Sequence, residues 1–491
     1  MKSATIIGSG FSSLAAATTL AAKGVKTTVI EKNDSLGGRA RKFEHNGFVF
    51  DMGPSWYWMP DVFEKYFARF GKSPADYYTL KRLDPSYRVI FDDEYVDIPA
   101  SFSELQQLFE DREKGAGKKL AEFMKDAAYK YEVGINELVY KPSLSIFEFA
   151  QWKVLKGLIE LDLFSNFHAF AKKYFRDPKL LSIIEFPVLF LGAMPEETPA
   201  LYSLMNYADL KLGTWYPMGG MHKIVEGMVS LAKEKGVEFK TSEAATRIYQ
   251  QGSMRLQTAQ NEYTSDYIVG GADYHHIETQ LLDAKDRQYS DSYWDKRVMA
   301  PSSLLYYVGV NKEIPNLKHH NLFFDADFGK HSREIYKDIK WPDNPLFYVC
   351  APSKTDDTVA PAGHENLFIL IPIAPGIEGD TEALRAQYFD MVMARLEKHT
   401  GVEIKNNIIY NRSYCVNDFK NDYNAFKGNA YGLANTLMQT AFLKPRIKHK
   451  KMSNLYFTGQ LTAPGPGVPP SLISGQVVAD HILQNIKAKQ R

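Results

Sequence analysis

The segment that most limits how this chain can fold is its opening. Thr5-Ile6-Ile7 runs into Gly8-Ser9-Gly10-Phe11-Ser12-Ser13, an Ala-rich stretch follows to Gly24, and Thr27-Thr28-Val29-Ile30-Glu31 comes next. Two short apolar, partly β-branched runs separated by a helix-length crossover predict a strand, a helix over residues 11 to 23 and a second, parallel strand. In that unit Gly8 permits the tight turn and Gly10 lets a pyrophosphate approach the positive end of the helix. Glu31, ending the second strand, can accept hydrogen bonds from ribose hydroxyls. Ser13 stands where a third glycine is usual. That position serves close packing of the helix, and a small side chain can fill it.

The continuation separates flavin from nicotinamide. Glu31-Lys32-Asn33-Asp34-Ser35-Leu36-Gly37-Gly38-Arg39 places a second glycine pair and an arginine soon after the ribose acid. They supply further backbone donors and a cation to one pyrophosphate. Phe50-Asp51-Met52-Gly53-Pro54-Ser55 follows.

Composition excludes several other classes. Lys and Arg number 59 against 58 Asp and Glu, a net charge of +1 over 491 residues. Nucleic-acid binding, which relies on an excess of cations to neutralise phosphates, is not expected. Cys350 and Cys415 lie far apart and outside any metal-ligand spacing, so neither a disulfide framework nor a metal site is expected, and a reducing, cytoplasmic setting is. Lys2 and the charge-free residues after it resemble a secretory signal in part. Gly8, Ser9, Gly10, Ser12 and Ser13 interrupt that run, and the nucleotide-site reading is preferred. The longest charge-free stretch, Ser453 to Ala479, holds Pro464, Pro466, Pro469, Pro470 and four glycines, so it is not expected to cross a bilayer as a helix.

Further along, residues 61 to 70 and a capping box at Ser101 and Glu104 predict helices, and Lys141 to Met194 reads as several amphipathic helices. Ile224, Val225, Met228 and Leu231 mark another helix closed by Gly236, before strands at Val237-Glu238-Phe239 and Tyr267-Ile268-Val269. Residues 302 to 375 alternate strand-like runs with turns, as in a mixed sheet.

Taken together, these motifs resemble the bacterial phytoene desaturase family of carotenoid enzymes, within the flavin-dependent amine oxidase superfamily. The resemblance runs nearly end to end. It includes Gly213-Thr214-Trp215-Tyr216-Pro217-Met218-Gly219-Gly220, His319-His320, Ser353-Lys354-Thr355-Asp356, and Leu455 to Gly459 continuing through Pro464-Gly465-Pro466-Gly467-Val468-Pro469. It implies an α/β fold with a Rossmann-like FAD-binding domain, a mixed-sheet substrate domain and a helical, membrane-facing lid. The expected segments are 1–75, 216–285 and 445–491 for FAD, 286–444 for substrate and 100–215 for the lid.

By the same resemblance FAD is the cofactor. Its expected contacts are Gly8, Gly10, Ser13, Glu31, Lys32, Gly37, Gly38, Arg39, Gly53, Pro54, Ser55, Gly219, Ala245, Gly459, Gln460, Gly467, Val468 and Pro469. Gln460 stands where many relatives carry an acid, and Ala245 where they often have Val. The implied activity is FAD-dependent desaturation of phytoene stepwise toward lycopene, with a hydrophobic polyene as substrate and oxygen or a quinone as electron acceptor. The enzyme would work at a membrane surface. A hydroxycarotenoid or dehydrosqualene desaturase, a carotenoid isomerase and a prenyl-binding escort protein are the alternatives. Glu148 matches most loosely the acid proposed for catalysis in the family, and a solvated helix charge is the preferred reading. His319 and His320 read as structural, because the nearby sequence offers neither a nucleophile nor metal partners. The cations at Lys444, Arg446, Lys448, Lys450 and Lys451 read first as a solvated loop, with contact to an anionic membrane surface as the alternative.

Overall fold

The computed structural model describes residues 1–145, 165–189 and 194–490. Its organising element is a five-stranded parallel sheet in the order Leu455–Phe457, Tyr267–Gly270, Ser3–Ile7, Lys26–Ile30, Glu238–Lys240. The opening unit forms as the pattern requires, with strand Ser3–Ile7, helix Phe11–Ala21 and strand Lys26–Ile30, and Ile6 sits beside both Val29 and Val269. Helix Phe11–Ala21 is buried almost throughout, which suits its Ala-rich composition. It lies against the C-terminal helix Val468–Gln490 so closely that a Cβ on Gly475 would come 2.0 Å from the Ser12 carbonyl. A three-stranded antiparallel sheet, Ala245–Gln251, Ser253–Thr258 and Glu262–Ser265, extends from this unit.

The second sheet has seven strands in the order Ile408–Tyr414, Ser302–Val310, Glu365–Ile373, Phe347–Cys350, His320–Phe323, Tyr87–Ile90, Tyr95–Ile98. It is mixed: His320–Phe323 runs parallel to Tyr87–Ile90, and the other pairs are antiparallel. Tyr87–Ile98 reaches it from far upstream, outside all three groups of segments expected from the sequence. One face carries a core of Leu304, Val308, Ile369 and Ile371 against helix Glu382–Thr400. The other face shares a core with the nucleotide-binding unit, through residues such as Leu305, Tyr307 and Phe368.

Helices Phe102–Arg112, Ala116–Tyr131, Phe167–Ala171 and Pro178–Leu189 cover one side. Phe109, Phe123, Phe167, Phe170 and Phe175 interlock there with almost no exposure, as ordinary helical core does. Lys179, one of the cations scattered through this region, pairs with Asp93 and Glu94. No helix among the described residues is long and apolar enough to cross a membrane.

Candidate active site

The carboxyl ends of the parallel strands open into one long cavity, which continues between the two sheets. At its floor Gly8 takes φ +88°, and a Cβ there would press within 3.2 Å of the Ala272 backbone nitrogen. Gly10 faces open space, with nothing within 4 Å of where its Cβ would stand. The helix that follows carries no side-chain cap, so its first-turn N–H groups remain available to an anion. Glu31 ends the neighbouring strand beside them. Its Oε2 accepts the Ser9 N–H at 2.9 Å and the Ser9 hydroxyl at 2.6 Å, and its Oε1 accepts the Asn33 N–H at 2.8 Å.

The second glycine pair folds onto the first. Gly37 and Gly38 both have positive φ, a Cβ on Gly38 would sit 3.2 Å from Gly10 Cα, and the Gly37 N–H donates to Ser9 Oγ. Arg39 is delivered to the same place, with its guanidinium over the Tyr423 ring and an Nη2–H donating to the Asn429 carbonyl. Its Nε is shielded from solvent and has no partner among the described residues. Burial lowers the pKa of Arg39 and raises that of Asp273, and the attraction between these two groups offsets only part of each shift. Gln460 completes the group. With its carboxamide oxygen toward Arg39 it accepts from both terminal nitrogens at 2.9 and 3.0 Å, while its nitrogen donates to the Tyr431 carbonyl. Gln460 therefore holds the arginine in place.

An uncapped helix end, open space over Gly10 and a shielded guanidinium nitrogen without a partner fit the pyrophosphate of FAD. Lys32, Gly53, Pro54, Ser55, Ala245, Gly459, Gly467, Val468 and Pro469 line the same cavity, as do Gly8, Gly10, Glu31, Gly37, Gly38, Arg39 and Gln460. Two expected contacts do not. Ser13 points into the contact between helix and sheet, where Gly271 leaves room for it: a Cβ on Gly271 would lie 1.9 Å from Ser13 Oγ. Gly219 lies outside the cavity, at φ +92°, with its N–H donating to the Asp356 carboxylate. Glu148 lies outside the described residues. Lys444, counted among the surface cations in the sequence, is 3% exposed, and burial lowers its pKa to about 7.

Beyond the nucleotide cradle the walls become apolar and aromatic, with Trp56, Trp58, Met59, Met205, Leu305, Phe368 and Leu370. Tyr348 also lines the cavity, and its hydroxyl meets His320 Nδ1 at 2.6 Å. Sequence reasoning missed this wall, Ser9 and Asn33 as partners of Glu31, and Tyr423, Asn429 and Asp273 around Arg39. Ser9 carried a usable signal, being the residue between the two glycines. Asn33, two residues after Glu31, lay within reach as well. Tyr423, Asn429, Asp273 and the wall residues come from distant strands and loops and carry no local pattern.

Comparison with known proteins agrees with this geometry. A family model described as flavin containing amine oxidoreductase matches residues 11–483. A carotenoid 3,4-desaturase of Haloarcula japonica is 42% identical over 98% of this chain and 98% of its own length. A zeta-carotene-forming phytoene desaturase of Myxococcus xanthus is 29% identical over 97% of this chain and 93% of its own. Among solved structures, wild-type putrescine oxidase bound to putrescine superposes with a TM-score of 0.64 at 14% identity, covering 98% of this chain and 99% of that one, which is a likeness of fold. The protein is an FAD-dependent oxidoreductase, and the chain belongs to the carotenoid desaturases of the flavin containing amine oxidoreductase family.

Proposed function

We propose that the protein desaturates a carbon–carbon single bond of a linear carotenoid, with the 3,4-bond near the chain end as the first candidate. The observation that carries this reading is the continuity of the nucleotide cradle with an apolar, aromatic cavity between the sheets. The identity of 42% to a 3,4-desaturase, against 29% to a phytoene desaturase, favours the 3,4-bond over stepwise conversion of phytoene toward lycopene. The phytoene reading stands second, supported by the motifs shared with that family.

Bound FAD supplies the hydride acceptor. The chain binds and orients it: Gly8, Gly10 and the helix N-terminus receive the pyrophosphate, Arg39 adds a cation, and Glu31 offers oxygens to the ribose. Trp56, Trp58, Leu305, Phe368 and Leu370 align a polyene and exclude water from it, which protects a reaction whose electrons must not reach solvent. A polyene of this kind is taken from lipid, and one surface suits that task. Met438, Phe442 and Leu443 are exposed at 70%, 38% and 37%, close in sequence to the exposed cations Arg446, Lys450 and Lys451. Reoxidation passes electrons to oxygen or a membrane quinone.

The test is expression in two carotenoid-producing hosts, one accumulating phytoene and one accumulating lycopene, followed by pigment analysis. New 3,4-double bonds in the lycopene host with phytoene unchanged in the other support the first reading. Coloured products from phytoene move the assignment to the second, and unchanged pigment in both hosts refutes the two together.

A further inference from the structure

The sequence separates His319 and His320 from Cys350 by a whole strand and turn, and that separation argued against a metal site. The fold closes it. His320 and Cys350 face each other directly across the antiparallel pair His320–Phe323 and Phe347–Cys350, and the Ala351 N–H donates to the His319 carbonyl. One nitrogen from each imidazole and the Cys350 sulfur lie within 4.8 Å of one another, and all three residues are buried. At that outer limit a central ion would sit about 2.8 Å from each donor, so inward shifts of about 0.6 Å reach bonds of about 2.0–2.3 Å.

The surroundings resemble those of a ligand set. His319 Nδ1 meets Thr355 Oγ1 at 2.8 Å and His320 Nδ1 meets the Tyr348 hydroxyl at 2.6 Å, whereas the Nε2 atoms of both rings are buried without a partner among the described residues. Metal-bound histidines are ordinarily fixed through their second nitrogen in this way. The rings are also held in place: His320 stacks on Trp56 at 4.0 Å and His319 lies against Tyr216 at 4.6 Å. Burial keeps both imidazoles neutral, the form that ligates, and pushes the Cys350 thiol up to about 12.

We propose that His319, His320 and Cys350 form a binding site for a thiophilic d10 cation, with Zn²⁺ as its representative. Binding forms two nitrogen bonds and one sulfur bond to the ion and releases the Cys350 thiol proton to solvent, with no change in oxidation state. Two neutral imidazoles and a thiolate leave a charge of +1 on a divalent site. The nearby Asp356 and Asp51 carboxylates, whose fields act on His319 and Cys350, offset that charge. Cys350 also borders a small cavity with Asp51, Ser55 and Tyr216. The site lies outside the nucleotide cradle and behind Trp56 and Tyr348, two walls of the substrate cavity. An ion there would pin those walls in place without touching the reacting carbons.

The experiment uses the untagged, full-length, FAD-loaded protein, reduced and stripped with a chelator, and titrated with Zn²⁺ against a chromophoric competitor. One Zn²⁺ per chain is expected. Thr355→Val should bind about tenfold more weakly through the lost support of His319, and Cys350→Ser more weakly still, with Cys415→Ser unchanged. Should Cys350→Ser fail to fold, zinc-edge X-ray absorption of the wild type decides, with one sulfur and two imidazoles expected in the inner shell. Sub-stoichiometric Zn²⁺ in the wild type, a shell without sulfur, or wild-type affinity in a folded Cys350→Ser would each overturn the proposal.

Discussion

A single oxygen of Glu31, Oε2, accepts both the backbone N–H and the hydroxyl of Ser9, at 2.9 and 2.6 Å. The acid expected to hold a ribose is thereby tied to the turn expected to hold the pyrophosphate, and Ser9 Oγ in turn accepts the Gly37 N–H from the second glycine pair at 3.1 Å. Glu31→Gln keeps the side-chain length and removes the charge behind these bonds. Its FAD dissociation constant is expected to rise about tenfold, the effect of losing roughly 1–2 kcal/mol of charge-assisted hydrogen bonding. Flavin fluorescence titration measures it, and an unchanged constant would show that Glu31 serves the fold alone.

Ser13 and Gly271 divide one packing position between them. A methyl group on Gly271 would lie 1.9 Å from Ser13 Oγ, so Gly271→Ala should destabilise the protein by about 1–3 kcal/mol. Adding Ser13→Gly removes the clashing hydroxyl and should recover at least half of that loss. Thermal unfolding of both variants checks the pair, and additive losses would contradict the shared-position reading.

Gln460 holds Arg39 through both terminal guanidinium nitrogens. Gln460→Glu is expected to retain FAD, because the carboxylate can take the same two guanidinium nitrogens. Gln460→Leu leaves them without that acceptor and should lower the flavin content of the purified protein severalfold. Absorbance of the purified variants distinguishes the two outcomes.

Lys444 gives a pH signature. Its pKa falls from 10.5 to about 7 in the fold through burial, and its Nζ has no partner among the described residues. Between about pH 7 and 10 the unfolded chain therefore binds a proton that the folded chain does not, so this residue makes stability rise as pH climbs through that window. Lys444→Met should remove the slope and stabilise the protein at pH 7 by on the order of 3 kcal/mol. Denaturant unfolding of both proteins from pH 7 to 10 tests this, and parallel curves would show that Lys444 is charged and satisfied.

The nucleotide cradle was legible because its parts are short-range. The turn at Gly8 and Gly10, the acid at Glu31 and the pair at Gly37 and Gly38 are spaced by one strand–helix–strand unit, whose geometry spacing alone dictates. Where the reading depended on side-chain direction it failed. Lys444 sits in an acid-free, cation-rich stretch, and composition does not reveal that it turns inward between exposed Leu443 and exposed Arg446. Gly219 looked like a cofactor glycine, yet its positive φ serves a turn locked by Asp356, which lies 137 residues away. The aromatic wall and the His319, His320 and Cys350 cluster depend on the pairing of strands that no local pattern specifies.

The central claim, hydride removal from a carotenoid to FAD bound in this cavity, is tested most directly by an anaerobic single turnover. The oxidised holoprotein is mixed with a linear carotenoid in lipid vesicles, and flavin and polyene absorbance are followed together. Loss of the oxidised flavin band matched, mole for mole, by a product with one more conjugated double bond is the expected result. Product formed while the flavin stays oxidised, or flavin reduction without a new double bond, would contradict it.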